Sequence, residues 1–308
     1  MSSKVFHSGE LAVQQMTGEG YQAQMVGRMI QSEMIPGGAQ FIQKQSLVFI
    51  SSRDAQGQIW VAPLWGNPGF AQSPTPNSVT VDLSTTQNDT KMSLGSHLDN
   101  QTAVGLLFID LNTRRRMRVN GPAHLEGDLL TVSIEEAYPN CPKYIQRRTQ
   151  TLNASSNNPV GSASSHGYGL LQEHYDWITQ ADTFFVGSGR DRLDVSHRGG
   201  PKGFINKLPN GLLRIPDYQG NSLYNTLGNI AQSPEAGLLF IDFEQGHTLQ
   251  ISGTATLDFD HHEENDLVAT TGTGRYWLFE PSQWVATHAQ IPAYWVHQDD
   301  SPFNPTIT

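Results

Sequence analysis

The chain has a single cysteine, Cys141, so an internal disulfide is impossible and a multi-cysteine zinc site is excluded. Charge is also scarce. Only 16% of residues are charged, against about 25% in an ordinary soluble domain, which excludes charge-driven disorder and a coiled coil. Cations are scarcer than anions, 19 against 29, for a formal net charge of −10, and that balance opposes non-specific attraction to nucleic acid phosphates. No apolar run approaches the roughly 20 residues of a membrane span. The first residues, MSSKVFHSGE, carry no apolar segment behind a positive end, so no signal peptide is visible. A reducing cytoplasm is the expected compartment, with no nucleic-acid or membrane partner. Standard catalytic motifs are missing too. Gly187-Ser188-Gly189 and Gly272-Thr273-Gly274 lack the third glycine of a dinucleotide fingerprint, and there is no phosphate-loop lysine motif, nucleophile elbow or His-Glu-x-x-His. Hydrolase chemistry has little to rest on.

What is present is a repeat. The length of 308 residues suggests two domains, and comparing the chain with itself makes that specific. Residues 104–126, VGLLFIDLNTRRRMRVNGPAHLE, align without a gap to residues 236–258, AGLLFIDFEQGHTLQISGTATLD. Identical pairs include Gly105/Gly237, Phe108/Phe240, Asp110/Asp242 and Gly121/Gly253. Upstream, Leu94-Gly95 matches Leu227-Gly228, and GNPGF at 66–70 matches GPKGF at 200–204. The spacing is too long for a solenoid or propeller blade, so it reads as two duplicated domains.

Within each copy the pattern is that of strands. Leu47 to Ser51 and Thr183 to Gly187 are short β-branched and aromatic runs closed by turn residues. Met117 to Leu125 and Leu249 to Leu257 alternate apolar and polar residues around a central glycine, as a half-buried strand with a bulge or bend does. Such strands build small antiparallel barrels. Helices are predicted at Gly9 to Met16, Tyr21 to Ile30, around Met92 to Leu98, and from Asn140 onward, where Asn140 offers an N-cap and Pro142 sits in the first turn. The fold class is therefore mainly β, of α+β type. The expected divisions are an N-terminal helical segment 1–40, a first barrel 41–150, a Ser/Asn/Gly-rich linker 151–175, a second barrel 176–298 and a tail 299–308.

Several residues are candidates for chemistry. Arg114-Arg115-Arg116, followed by Arg118, is the densest basic run in this acidic chain. On a strand, Arg114 and Arg116 would share a face and could hold a small anion, or the run could be a salt-bridged edge. The second copy has Gly246-His247-Thr248 there. Lys143, in the predicted first helical turn, is a candidate for an anion pocket. Cys141 beside it is either a nucleophile or a small buried hydrophobe. Ser196 and Arg198 close a strand ahead of a glycine turn, and Asp217, Asn221 and Ser222 form a polar turn before a helix start. Together they could present N–H groups and side chains to a phosphate, or be ordinary surface turns. The group His261-His262-Glu263-Glu264 reads as a solvated acidic turn rather than a metal site.

At these residues the sequence resembles the pyridoxamine 5′-phosphate oxidase-like, FMN-binding split-barrel superfamily, in its tandem two-barrel branch. The likeness spans about residues 41–148 and 180–260, through Ser196–Gly200, Ile215–Ser222, NIAQSPEAGLLFID, the strand ending Ser252-Gly253, and YPNCPKYIQRR. It implies two tandem split β-barrels with short flanking helices about a pseudo-two-fold, a pseudo-dimer within one chain, with further homodimerisation open. It also implies an FMN cofactor held by Ser196, Arg198, Asp217, Asn221 and Ser222, with Arg116 reaching it from the facing barrel and Thr248 as the counterpart of Arg116. The chain departs from the family in two places. The usual basic residue after the Asn/Ser turn falls near Leu223, and in the first copy, where Lys91 lies near that basic position, Pro63-Leu64-Trp65 replaces the Ser-x-Arg. One, two or no flavins remain open on sequence. The implied function is a flavin-dependent oxidoreductase acting on a small-molecule substrate or electron donor, with Trp65, Tyr218 or Trp277 as candidates to flank the ring. The alternative is a non-catalytic flavin- or haem-binding protein.

Overall fold

The computed structural model describes residues 5–86, 98, 102–152, 163–289, 291 and 293–305. The chain opens with three short helices, α1 (Ser8–Met16), α2 (Gly20–Gly27) and α3 (Gly38–Gln43). The first copy follows as β1 (Leu47–Arg53), β2 (Ile59–Trp65), β3 (Ala71–Thr75), β4 (Ser78–Asp82), β5 (Thr102–Asp110), β6 (Arg115–Glu126), β7 (Leu129–Ser133) and β8 (Glu136–Asn140). After β9 (Arg147–Leu152) and β10 (Ser164–Tyr168), α4 (Gln172–Gln180) leads into the second copy. This comprises β11 (Thr183–Gly189), β12 (Leu193–Gly199), β13 (Asn206–Lys207), β14 (Leu213–Pro216), α5 (Asn225–Gln232), β15 (Glu235–Ile241), β16 (Thr248–Asp258), α6 (Glu264–Ala269) and β17 (Tyr276–Thr287), and the chain closes with β18 (Ala293–Asp299). No helix among the described residues is long and apolar enough to cross a membrane.

Two eight-stranded antiparallel sheets run β2-β1-β5-β6-β7-β4-β3 and β12-β11-β15-β16-β17-β14-β13, so their order is the same. β17 does in one piece what β7 and β8 do in two, since β8 also pairs with β6. The tandem arrangement of two like barrels follows directly. The expected central irregularity of β16 is a register shift at Ser252/Gly253.

Three apolar clusters explain the pattern of the repeat. Val48, Ile50, Leu106 and Phe108 fill the first barrel, and Phe184, Val186, Leu238 and Phe240 fill the second. The alternate residues of the same strands, Leu47, Phe49, Leu107, Phe185, Val195 and Leu239, form a third cluster between the barrels. LLFI therefore reads as one continuous run because both faces of β5 and β15 are buried. Phe49 and Phe185, which occupy equivalent register positions, stack across the seam with ring centroids 3.6 Å apart.

Several sequence expectations need correction or placement. No helix starts at Asn140: the residue ends β8, paired with Arg116, and Tyr144 takes a left-handed φ of 64° while Ile145 and Gln146 are fully buried. Strand pairing and burial override the local capping signal. Arg114 lies in the turn before β6 with φ 55°, and so does not share a strand face with Arg116. Residues 164–168 of the predicted linker pair with β17, and β18 pairs with β9. The helix predicted around Met92 falls outside the described residues except for Leu98, as does Lys91.

Candidate functional site

The seam between the barrels opens at one end into a narrow cleft of about 90 Å³. β6 of the first barrel forms one wall and β12 of the second forms the other. The loop after β14 and the first turn of α5 close the base. Arg116, Lys143, Ser196, Arg198, Asp217, Asn221 and Ser222, the seven residues picked from sequence, all line this cleft. Arg116, Arg118, Lys143 and Arg198 set four cations around it against one carboxylate, Asp217.

Each cation has a different situation. Arg118 is buried, donating from Nη1 to Asp194 Oδ2 at 2.8 Å and from Nη2 to Ser196 Oγ at 2.6 Å. Burial opposes its charge, yet the Asp194 carboxylate and Tyr138 hold the pKa above the ordinary value. Arg198 donates from Nη1 to Asp217 at 3.2 Å, and Asp217 also accepts from Arg275 Nε at 3.0 Å. Lys143 reaches only the Gln219 carbonyl at 3.4 Å and the face of Phe303. Arg116 has no carboxylate partner among the described residues. Its Nε donates to the Cys141 carbonyl at 3.0 Å, and its Nη1 donates to the His197 carbonyl and Nδ1, both at 3.2 Å. Burial without a counter-anion pushes its pKa down to about 10.

The contact with Arg116 fixes the histidine. A guanidinium only donates, so Nδ1 of His197 accepts. Burial, then the surrounding arginines Arg116, Arg148 and Arg198, hold the ring's pKa well below its ordinary value, so it is neutral and its hydrogen sits on Nε2. That N–H has no partner among the described residues. Neither do Arg118 Nε, Arg198 Nε, both side-chain atoms of Asn140, or Thr226 Oγ1, and every one of these residues lines the cleft. Buried polar atoms are normally paired, so a concentration of unpaired polar atoms in one cleft, donors on Arg118, Arg198, His197 and Asn140 Nδ2 among them, marks a place for a ligand rich in acceptors.

The base of the cleft is held from outside the barrel. Ser222 and Tyr224 both have φ 61°, a strained backbone for non-glycine residues. Ser222 Oγ donates to Glu19 Oε2 at 2.5 Å, Gln14 Nε2 donates to the Leu223 carbonyl at 3.1 Å, and Asn225 Nδ2 donates to Glu10 Oε1 at 2.6 Å. The Asn221 side chain accepts from the Leu223 N–H. The side chains of Asn221 and Ser222 are thus engaged by protein, and Leu223, where the family's basic residue would fall, is buried with Phe6, Ala23 and Tyr138. α5 starts beyond this loop with no side-chain cap, leaving its first N–H groups without intrahelical acceptors.

Glu10 is 4% exposed, and burial pushes its pKa up from 4.5 to about 8. The folded chain then holds a proton between those values that the unfolded chain releases, so this contribution to stability is full below pH 4.5 and is lost as pH rises towards 8. Unfolding free energies of the natural chain and Glu10→Gln, measured from pH 5 to 9, are expected to differ by an amount that changes steadily with pH to about 8 and then levels off. A constant difference would contradict the assignment.

Sequence reasoning passed over His197, whose partner lies in the other copy, and used Asn140 only as a helix cap. Of the aromatic candidates, Tyr218 lines the cleft and packs on Tyr144 with centroids 4.8 Å apart. Trp277 is fully buried in the second core, and Trp65 meets Trp295 in the seam. Cys141 is a half-buried cleft-lining residue 3.8 Å from Arg116 Nη2. In the arginine run, Arg114 is paired with Asp299, and Arg115 is exposed over Phe41. His261 pairs with Asp258 at 2.9 Å, and no group of three potential ligands is set to hold a metal among the described residues.

The architecture is thus a tandem of two like antiparallel barrels with a donor-rich cleft between them. The chain is similar to several solved structures. One is a candidate pyridoxamine 5′-phosphate oxidase from Lactobacillus delbrueckii, 15% identical over 35% of this chain and 95% of that one, with a TM-score of 0.28. Another is a NimC/NimA family protein from Clostridium acetobutylicum, 11% identical over 41% and 91%, TM-score 0.29. A third is an FAD-binding protein from Mycobacterium smegmatis, 14% identical over 39% and 97%, TM-score 0.26. No protein-family profile matches the chain, and no curated protein sequence matches it.

Proposed function

We propose that the cleft between the barrels binds a flavin, FMN, and that the chain is a flavin-dependent oxidoreductase acting on a small-molecule substrate or electron donor in the cytoplasm. The observation that carries the binding claim is the set of unpaired polar atoms around Arg116, a cation with no acid partner among the described residues. The sequence resemblance supplies the identity of the ligand. The residues present fit it: Arg198, Thr226 and the first turn of α5 suit a phosphate, while Tyr218, Phe204 and Leu227 offer an apolar wall to a ring.

A bound flavin supplies hydride and electron transfer. Arg116, held by three acceptors, offers a fixed positive charge to any negative charge that develops in the cleft. His197 offers a neutral N–H at Nε2, and the seam cluster of Phe49 and Phe185 behind it keeps water from that side. The same protein groups serve binding and chemistry, so no further acid or base is assigned.

Protein purified without added cofactor is expected to be yellow and to release FMN on denaturation. Arg116→Gln keeps hydrogen bonding but removes the charge, and it is expected to weaken FMN binding about 10- to 100-fold, the range for losing a hydrogen bond to a charged group. Colourless protein that takes up no FMN at micromolar concentration would refute the proposal.

A further inference from the structure

The duplication predicts a second cleft related to the first by the pseudo-two-fold, and the strand registers identify each of its positions. Val48, Phe49 and Ile50 of β1 oppose Leu64, Pro63 and Ala62, as Phe184, Phe185 and Val186 of β11 oppose Arg198, His197 and Ser196. Ile109 and Leu107 oppose Arg116 and Arg118, as Ile241 and Leu239 oppose Thr248 and Gln250. Tracing β4 and β14 through their partners sets Val81 level with Ile215, and so Leu83 level with Asp217.

Every charged or titratable member of the first cleft traced in this way has a neutral counterpart in its twin. Arg116 becomes Thr248, Arg118 becomes Gln250, Arg198 becomes Leu64, His197 becomes Pro63 and Asp217 becomes Leu83. The counterparts have also taken up structural work. Leu64 and Leu83 are buried in the core of the first barrel, and Gln250 Nε2 donates to the Val61 carbonyl at 2.7 Å. Neither of the two polar counterparts, Thr248 and Gln250, has a side-chain atom among the buried unpaired polar atoms of the described residues, whereas Arg118, His197 and Arg198 each do. Among the described residues, the one cleft asks for an anion, while Leu64, Leu83 and Gln250 of the other are taken up by protein contacts.

We infer that the chain binds one anionic ligand, not two, and that the first barrel's twin position has been converted from a ligand site into packing. The inference rests on the cleft of Arg116 and Arg198 being the ligand site, as proposed above. A duplicated pair of barrels with one stripped site contributes β6 and Arg116 from the first copy to a single site whose other wall is the second. Neither copy alone is then complete.

The test counts sites on the full-length, ligand-stripped chain with two probes. FMN is counted by absorbance titration and mass spectrometry under non-denaturing conditions, and inorganic phosphate by equilibrium dialysis. One equivalent of each is expected, falling by at least tenfold in affinity in both Arg116→Gln and Arg198→Met. Two equivalents of either probe overturn the inference, and so does one equivalent that both variants retain unchanged. One phosphate without FMN supports the single anion site and refutes the flavin reading. A chain that binds neither probe overturns both.

Discussion

Replacing Asp194 with Ala is expected to lower the stability of the chain by about 3–5 kcal/mol, the usual cost of removing one partner from a buried ion pair. Asp194 is 3% exposed and Arg118 is 7% exposed. The carboxylate belongs to the second barrel, and everything that satisfies it comes from the first. Arg118 Nη1 donates to Oδ2, while Asn120 Nδ2 and the Tyr138 hydroxyl each donate to Oδ1 at 3.3 Å. Truncation therefore leaves a guanidinium, an amide and a phenol facing a gap in the seam, with Ser196 and, at 3.5 Å, the Tyr138 hydroxyl still accepting from Arg118. The measurement is the urea midpoint at constant slope. The double variant Arg118→Met/Asp194→Leu should recover most of the loss, because two apolar side chains leave no charge stranded. A single variant costing less than about 1 kcal/mol would mean that the pair is solvated and that the barrels do not close over it.

That network also marks the limit of what one sequence can convey. The duplication was legible because the β5–β6 and β15–β16 hairpins kept their length and their glycines, and strand identity followed from β-branched and aromatic runs. The candidate site was legible in part because Ser196 and Arg198 fall on one face of a strand, and Asp217 to Ser222 form a polar turn ahead of α5. His197 was not legible. It alternates onto the opposite face of β12, the face of Phe185 and Val195 that one barrel alone would leave outside, and its meaning comes only from Arg116 across the seam. Asp194 and Asn140 escaped notice for the same reason, since their neighbours lie in another strand or another copy. The turn at Asn140 to Tyr144 carries a good local helix signal that loses to pairing with β6 and to the burial of Ile145 and Gln146. β10 has no apolar periodicity to read, because it is an exposed strand whose order comes from the neighbouring β17.

The closeness of the two barrels makes Gly237 the most sensitive single position. A Cβ there would lie 2.4 Å from the Ile59 carbonyl oxygen and 3.1 Å from Trp60 Cα, and at its twin, Gly105, a Cβ would lie 2.7 Å from Asp194 Cα and 2.8 Å from Val195 N. All of these are backbone atoms of the opposite barrel, so no rotamer change relieves the overlap. This is the physical reason that both copies have glycine at this point of the β5 and β15 strands: side chains elsewhere on the seam interlock, but here one strand lies directly on another. Gly237→Val is expected to cost more than about 4 kcal/mol, in the class of severe overpacking. The loss should appear as a collapse of the urea midpoint or of the soluble yield. Gly20→Ala, in α2 with no atom within 4 Å of the new methyl, serves as the control and should leave stability unchanged or raise it by about 0.5 kcal/mol. If Gly237→Val unfolds no more easily than Gly20→Ala, the two backbones are not in contact. Arg116 and His197, which face each other across the same seam, would then have no shared cleft in which to hold a ligand.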